Sequence, residues 1–232
     1  VISQRGTPLR IRAKKGVVLA AGGFDKNGQM RREHMPLYPH AQYSGGTSGN
    51  TGDSIRAATA VGAEVMNMQS TWAAPVFYIP GELGGRLCTI ERALPGCIMV
   101  NQKGERYWNE ASSYHVTGQA MARRQAEHGD ASPSWMVFDG TYPKSFPMGP
   151  VYPGWPDALL SAAVKTILKR GRTIEELAHE MGVHPTALSA TVARFNQGAE
   201  KGEDPDFHRG EAAYDKMYGD PSQTPNPCLR PV

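Results

Sequence analysis

The chain has no apolar stretch able to cross a bilayer. Its longest uninterrupted apolar run, GVVLAAGGF at residues 16–24, is far short of the ~20 residues that a membrane helix needs. No signal peptide is visible. Cysteine is scarce: Cys88, Cys97 and Cys228 are odd in number, widely spaced and form no CxxC. That excludes a zinc ribbon and a disulfide framework, and it fits a reducing, cytoplasmic setting. The formal net charge is only +3, too weak a field to expect a nucleic-acid partner. What single-sign bias exists sits in residues 1–40, where eight Lys/Arg face two acids. This is either a solvated edge or a seat for an anionic cofactor.

Several catalytic and ligand-binding motifs are nearly present and fail. His179-Glu180 begins like the zinc-binding HExxH, but His184 arrives one residue late and Gly182 interrupts the helix between them, so no metal is expected. SGGTSG has Ser44 where the first glycine of GxGxxG would stand, and no strand precedes it. No Ser-His-Asp set follows from spacing. The acidic pairs Glu175/Glu176 and Asp204/Asp206 read as solvated.

The 232 residues, 40% hydrophobic with 26 Gly and 18 Pro, have room for one large domain or two small ones and for a sizeable core. Residues 8–13 alternate, and Val17, Val18 and Leu19 read as a buried strand feeding the turn Ala21-Gly22-Gly23. Thr51 or Asp53 is expected to cap a helix through Ala60, closed by Gly62. LPGCIMVN and ERYW flank the turn QKG and read as a hairpin. Residues 114–127 read as a helix, PSWMVFDG as a strand, 139–157 as loop, and AAVKTILK as either helix or strand. Thr173 and Glu176 form a capping box, with Ile174, Leu177, Ala178 and Met181 on one face and Gly182 at the end. Pro185 opens a further helix with Leu188, Val192 and Phe195 inward. The tail from Lys201 is expected to wrap the surface.

NEASSY, residues 109–114, places a tyrosine just behind two candidate N-caps, Ser112 and Ser113. Tyr114 would lie in the first helical turn, where free N–H groups favour negative charge by ~0.3–1 kcal/mol. A phenol holds its proton to about pH 10 in water, so it needs a further donor before it can act as a base. Gly118 and Met121 follow on the same face, and Gly118 leaves a gap that could admit a flat apolar ligand. From its position alone, Tyr114 is either a packing residue or a base.

GVVLAAGGFDKN, SGNTGDSIRAATAVGAEVM, ERALPGCIMVNQKGERYWNEASSY, the segment from Thr173 to Gly210 and YDKMYGDPSQTPNPCL together resemble the FAD-dependent 3-ketosteroid dehydrogenases, within the fumarate-reductase flavoprotein group. The resemblance implies an α+β substrate-binding cap domain with a small, mostly antiparallel sheet, set into a Rossmann-like FAD domain. Residues 1–66 would end the first FAD-domain portion, 67–225 form the substrate domain, and 226–232 begin the return. Segments bearing GxGxxG and a second tyrosine would lie elsewhere in a longer parent, leaving this chain an incomplete catalyst. Apolar surface left uncovered would favour self-association.

Tyr114 occupies the family's general-base position. Ala21, Gly22, Gly23, Asn50, Thr51 and Asp53 match positions near FAD. Trp72, Phe77, Tyr78 and Phe138 are candidate walls for an apolar steroid-like substrate. The implied reaction is desaturation of steroid ring A between carbons 1 and 2, with proton removal by tyrosine and hydride transfer to flavin N5. Three alternatives stand: 4,5-desaturation, a fumarate- or acrylate-type reductase, and a segment used only for binding or assembly. The reductase reading expects an arginine where Ser113 stands, and residues 110–120 contain none.

Overall fold

A computed structural model describes residues 2–4 and 6–232; Val1 and the basic Arg5 lie outside the described residues. The architecture is α+β. The expected single small sheet is instead three separate antiparallel pairs: β1 (Ile2–Gln4) with β2 (Thr7–Leu9), β3 (Val76–Phe77) with β4 (Arg86–Leu87), and β5 (Cys97–Val100) with β6 (Trp135–Phe138). The helices are α1 (Gly28–His34), α2 (Asp53–Thr59), α3 (Tyr114–His128), α4 (Tyr142–Ser145), α5 (Ala162–Ile167), α6 (Ile174–Met181), α7 (Pro185–Ala199) and α8 (Ala213–Met217). None of them is long and apolar enough to cross a membrane.

Local signals explain most helix boundaries. Thr173 Oγ1 accepts from Glu176 N at 3.2 Å, and Glu176 Oε2 accepts from Arg172 N at 2.8 Å, so the box closes one residue earlier than its usual form. Gly182 ends α6 at φ 71°, a left-handed conformation cheap only for glycine. Pro185 starts α7, whose Leu188, Val192 and Phe195 are buried. AAVKTILK resolves as helix because Ser161 Oγ accepts from Val164 N at 3.2 Å. Met30 in α1, a helix the sequence signals did not mark, packs under Gly52, whose left-handed φ of 80° starts α2 in place of a side-chain cap.

Four expectations are corrected. Val17, Val18 and Leu19 form no strand and are exposed, Val18 at 92%; no strand among the described residues pairs with them. The QKG turn exists, with Gly104 N–H bonded to Asn101 O at 3.0 Å, but β5 does not pair with ERYW. It pairs with β6, register Cys97 to Phe138 and Val100 to Trp135, because Arg106 is drawn into a buried ionic cluster. Asp204, expected in solvent, is buried in that cluster. The tail from Lys201 does not simply wrap the surface: Arg209, Asp215, Cys228 and Leu229 are buried.

The main core joins β5 and β6 to α6 and α7 through Ile98, Val100, Val137, Ala178, Leu188, Val192 and Phe195, with Cys228 and Leu229 from the tail. A second core gathers Ile79, Leu94, Cys97, Tyr142, Met148, Val151, Leu160 and Val164. Both cores rest against the segment that carries residues 91–114.

Candidate active site

α3 begins at Tyr114 because Ser113, extended at φ −56° and ψ 147°, accepts from Val116 N at 3.3 Å. Ser113 is therefore the cap, worth about 1 kcal/mol. Ser112 turns back instead, donating to Asn109 O at 2.6 Å. Asn109 is anchored in turn by Asp215 at 2.9 Å, so the loop before Tyr114 is tied to the tail.

Glu110, fully buried, is the centre of the ionic cluster. It accepts from Arg106 at 2.7 and 2.8 Å, from Met99 N at 3.1 Å and from Arg209 at 3.4 Å. Arg106 also grips Asp204 at 2.8 and 2.9 Å, and Arg209 donates to Cys97 O and Leu94 O at 2.8 Å each. Burial pushes the Glu110 carboxyl up, but Arg106 and Arg209 outweigh it and the net direction is down. Such a cluster holds one arrangement strongly, because any missing partner leaves a buried charge uncompensated.

Tyr114 is half-buried and stacks on Trp72, rings 5.9 Å apart at 29°. Trp72 is itself 78% exposed, so the pair faces an open side. The gap expected at Gly118 is not open: a Cβ there would lie 2.7 Å from Ala73 Cβ and 2.8 Å from its carbonyl carbon. Gly118 lets α3 pack on the main chain beside Trp72 and admits no ligand. A cavity of about 280 Å³ opens beside α3 and is lined by His115, Gln119 and Arg123 with Tyr38, Ser70 and Thr71. Tyr114 is not among its lining residues.

The other candidate walls fall in two places. Phe77 and Phe138 pack against the second core, Phe138 with its ring 5.3 Å from Tyr142. Tyr78 meets Tyr43 edge-on at 5.0 Å. Only Trp72 of the four stacks on Tyr114. Sequence reasoning missed Arg92, whose guanidinium donates to Glu110 O and, at 2.7 Å, to Ser112 O. A charged residue five positions before the fully buried CIMV run, at the head of the apolar stretch ALPG that leads to it, was the available signal.

The glycine turn and the second loop, far apart in sequence, are joined. Gly52 N donates to Gly23 O and Lys26 N to Asn50 O, both at 3.0 Å, and Asn27 donates to Thr51 O at 2.8 Å. Gly22 has φ 78°, and a Cβ there would lie 2.3 Å from Asn50 Oδ1. Its glycine is thus required by Asn50, which is bonded to Asp25 at 2.7 Å. Ala21 and Gly22 are exposed, as is Asp53 at the start of α2, where Arg56 pairs with it and holds its carboxyl down. The N–H groups of Gly22 and Gly23 make no hydrogen bond within the described residues. Bare amides beside a helix start suit an oxygen-rich anionic group.

A family model described as FAD binding domain matches residues 1–231. The chain belongs to this FAD-binding family. Within the family it is 38% identical to a 3-oxosteroid 1-dehydrogenase of Mycobacterium tuberculosis (strain ATCC 25618 / H37Rv), over 99% of this chain and 41% of that protein. The fold matches a 3-ketosteroid delta1-dehydrogenase from Sterolibacterium denitrificans, solved in complex with 1,4-androstadiene-3,17-dione. The TM-score is 0.90 and the identity 41%, covering 98% of this chain and 41% of that one. It matches a 3-ketosteroid-delta4-(5alpha)-dehydrogenase from Rhodococcus jostii RHA1 less well, at TM-score 0.58 and 27% identity over 89% of this chain and 38% of that one. The chain therefore spans about two-fifths of the length of these relatives. The free turn amides at Gly22 and Gly23, backed by Asn50 and Thr51, fit the family's cofactor.

Proposed function

We propose that the protein carrying this chain is an FAD-dependent 3-ketosteroid dehydrogenase that desaturates ring A between carbons 1 and 2. The observation that carries this reading is Tyr114: a phenol in the first turn of a capped helix, half-buried under the exposed Trp72 ring, within a chain that matches the delta1 enzyme at TM-score 0.90. The weaker delta4 match, TM-score 0.58, favours the 1,2 position over the 4,5 alternative. Gly22, Gly23, Asn50, Thr51 and Asp53, with Ala21, are assigned to the cofactor. Bound flavin supplies the hydride acceptor.

The remaining chemistry falls to the chain. Tyr114 acts as the phenolate, which the helix-start N–H groups favour; it takes the proton next to the substrate ketone and becomes the neutral phenol, while the charge passes to the substrate. Charge that spreads onto the ketone oxygen needs a donor of its own, assigned to the segments that the resemblance places beyond residue 232. Trp72 offers the flat apolar face that a steroid ring requires; Phe77, Tyr78 and Phe138 are assigned to outer walls. In this reading residues 1–66 and 226–232 belong to the FAD domain and 67–225 to the substrate domain. The exposed Val17, Val18, Val61 and Met66 are the surface against which the rest of the parent, or a second copy, packs. Three buried, unpaired thiols support a cytoplasmic setting.

A fumarate- or acrylate-type reductase is disfavoured by position. The nearest arginines on α3 are Arg123 and Arg124, over two turns from Tyr114, and Arg124 is bound to Asp130 at 2.7 and 2.8 Å. The test is dye-coupled steroid dehydrogenation by the full-length protein. Tyr114→Phe is expected to abolish turnover while flavin absorbance stays; unchanged turnover would remove Tyr114 from the mechanism. A parent without flavin absorbance, even with added FAD, would leave only the binding or assembly alternative.

A further inference from the structure

Arg92 sits on a single 3-10 turn, Glu91–Ala93, and is 1% exposed. Among the described residues it has no carboxylate within ion-pair distance. Its charge rests on three main-chain carbonyls: Nε donates to Cys88 O at 3.2 Å, and Nη1 donates to Glu110 O and to Ser112 O, the latter at 2.7 Å. A buried cation held only by neutral acceptors is costly, and burial opposes its charge. The carbonyls it holds bracket Ala111 and directly precede Ser113, the cap of α3. The guanidinium is thus bonded one residue before the cap and two before Tyr114.

The turn that carries Arg92 is itself fastened, since Tyr142 Oη donates to Glu91 O at 2.6 Å. Glu110 is therefore fixed twice: its side chain by Arg106 and Arg209, its carbonyl by Arg92. The first fixation anchors the cluster; the second sets the path of residues 110–112 into the helix.

We infer that Arg92 is a positioning residue for Tyr114: its rigid planar guanidinium, with Nε on Cys88 O and Nη1 on both Glu110 O and Ser112 O, ties residues 110–112 to the turn at residues 88–92 and so sets the entry of α3 and the aim of the phenol. Lysine cannot replace it, because a single ammonium is a point charge and cannot hold Cys88 O on one side and the Glu110 and Ser112 carbonyls on the other in the fixed plane of a guanidinium. The inference rests on the proposed role of Tyr114.

The test uses the full-length, flavin-loaded protein with Arg92→Lys, normalised to bound flavin. The expected kcat loss is about ten- to a hundredfold, the range that a misplacement on the order of 1 Å brings. KM is expected to hold within about twofold, since Arg92 touches no proposed wall. The primary deuterium isotope effect at the substrate carbon that loses the proton should rise, because proton transfer becomes more nearly rate-limiting. A merely structural role would lower the active fraction and leave both kcat per flavin and the isotope effect unchanged; that result overturns the inference. Should Arg92→Lys fail to fold, Arg92→Gln, uncharged and better suited to burial, is read in the same way. Tyr114→Phe in the same assay separates the two failures. If it stays active, the reading of Tyr114 falls and this inference with it; if it is dead while folded Arg92 variants match wild type, only the inference falls.

Discussion

Residues 10–66 and residues 88–229 use their side chains in opposite ways. In the first, apolar groups stand in solvent: Val18 is 92% exposed, Val61 85% and Met66 81%. In the second, ionised groups are sealed away: Glu110 and Arg209 are 0% exposed and Asp204 3%. Hydrophobicity alone would have arranged them the other way round. The difference teaches that burial follows the partners available. Glu110 finds two arginines and a main-chain amide, and their combined attraction outweighs its desolvation. Val17, Val18 and Leu19 find no neighbouring strand among the described residues, so their apolar surface stays open.

The contrast can be broken most forcefully at Glu110. Glu110→Ala leaves Arg106 and Arg209 with a missing buried partner and is expected to cost about 3–5 kcal/mol, read as a lower urea midpoint with an unchanged slope. A loss under about 1 kcal/mol would mean that water or a shifted side chain already compensates those arginines. Within the second region, where α3 packs on the main chain beside Trp72, Gly118→Ala forces a methyl against Ala73 and should cost about 1–3 kcal/mol. It should also disturb the Trp72–Tyr114 stack, which Trp fluorescence would report; a neutral result would show that α3 can lift away freely.

Acid sharpens the comparison further. Hydrogen bonds from Arg124 hold the Asp130 carboxyl down at about 2, below its unfolded value near ~3.9. Its contribution is therefore complete above about pH 4 and is lost as pH falls toward 2. Stability that stays flat across that window in wild type, or falls equally in Asp130→Asn, would contradict this assignment. The smallest effect is expected in the open region. Val18→Ser should change stability by no more than about 0.5 kcal/mol, because the side chain buries little; a larger loss in urea unfolding would mean that the segment is covered in solution.

Much of the helical framework was legible. Thr173 with Gly182, Pro185 with its Leu188, Val192 and Phe195 stripe, and Ser113 ahead of Tyr114 are signals whose energies are settled within one or two turns. The juxtaposition of the AAGG turn with Asn50 and Thr51 came from family resemblance, since no local rule brings those residues together. The hairpin with ERYW was misread because Arg106, inside that run, is more strongly satisfied by Glu110 and Asp204 than by a strand ladder. Asp204 was misread because Arg106, 98 residues earlier, is invisible to a local window. Gly118 was legible as a space but not as an occupied one; the occupant, Ala73, comes from another part of the chain.

By itself the sequence determined where helices start and stop, because caps, glycine turns and the 3.6-residue stripe are paid in bonds between near neighbours. It also determined that a tyrosine would stand in the first turn of α3. Tertiary structure alone decided which strand joins β5, which acids are buried and what fills the space beside Gly118. Each of those depends on a competition among distant partners, and its outcome is set by which groups meet once both cores have closed.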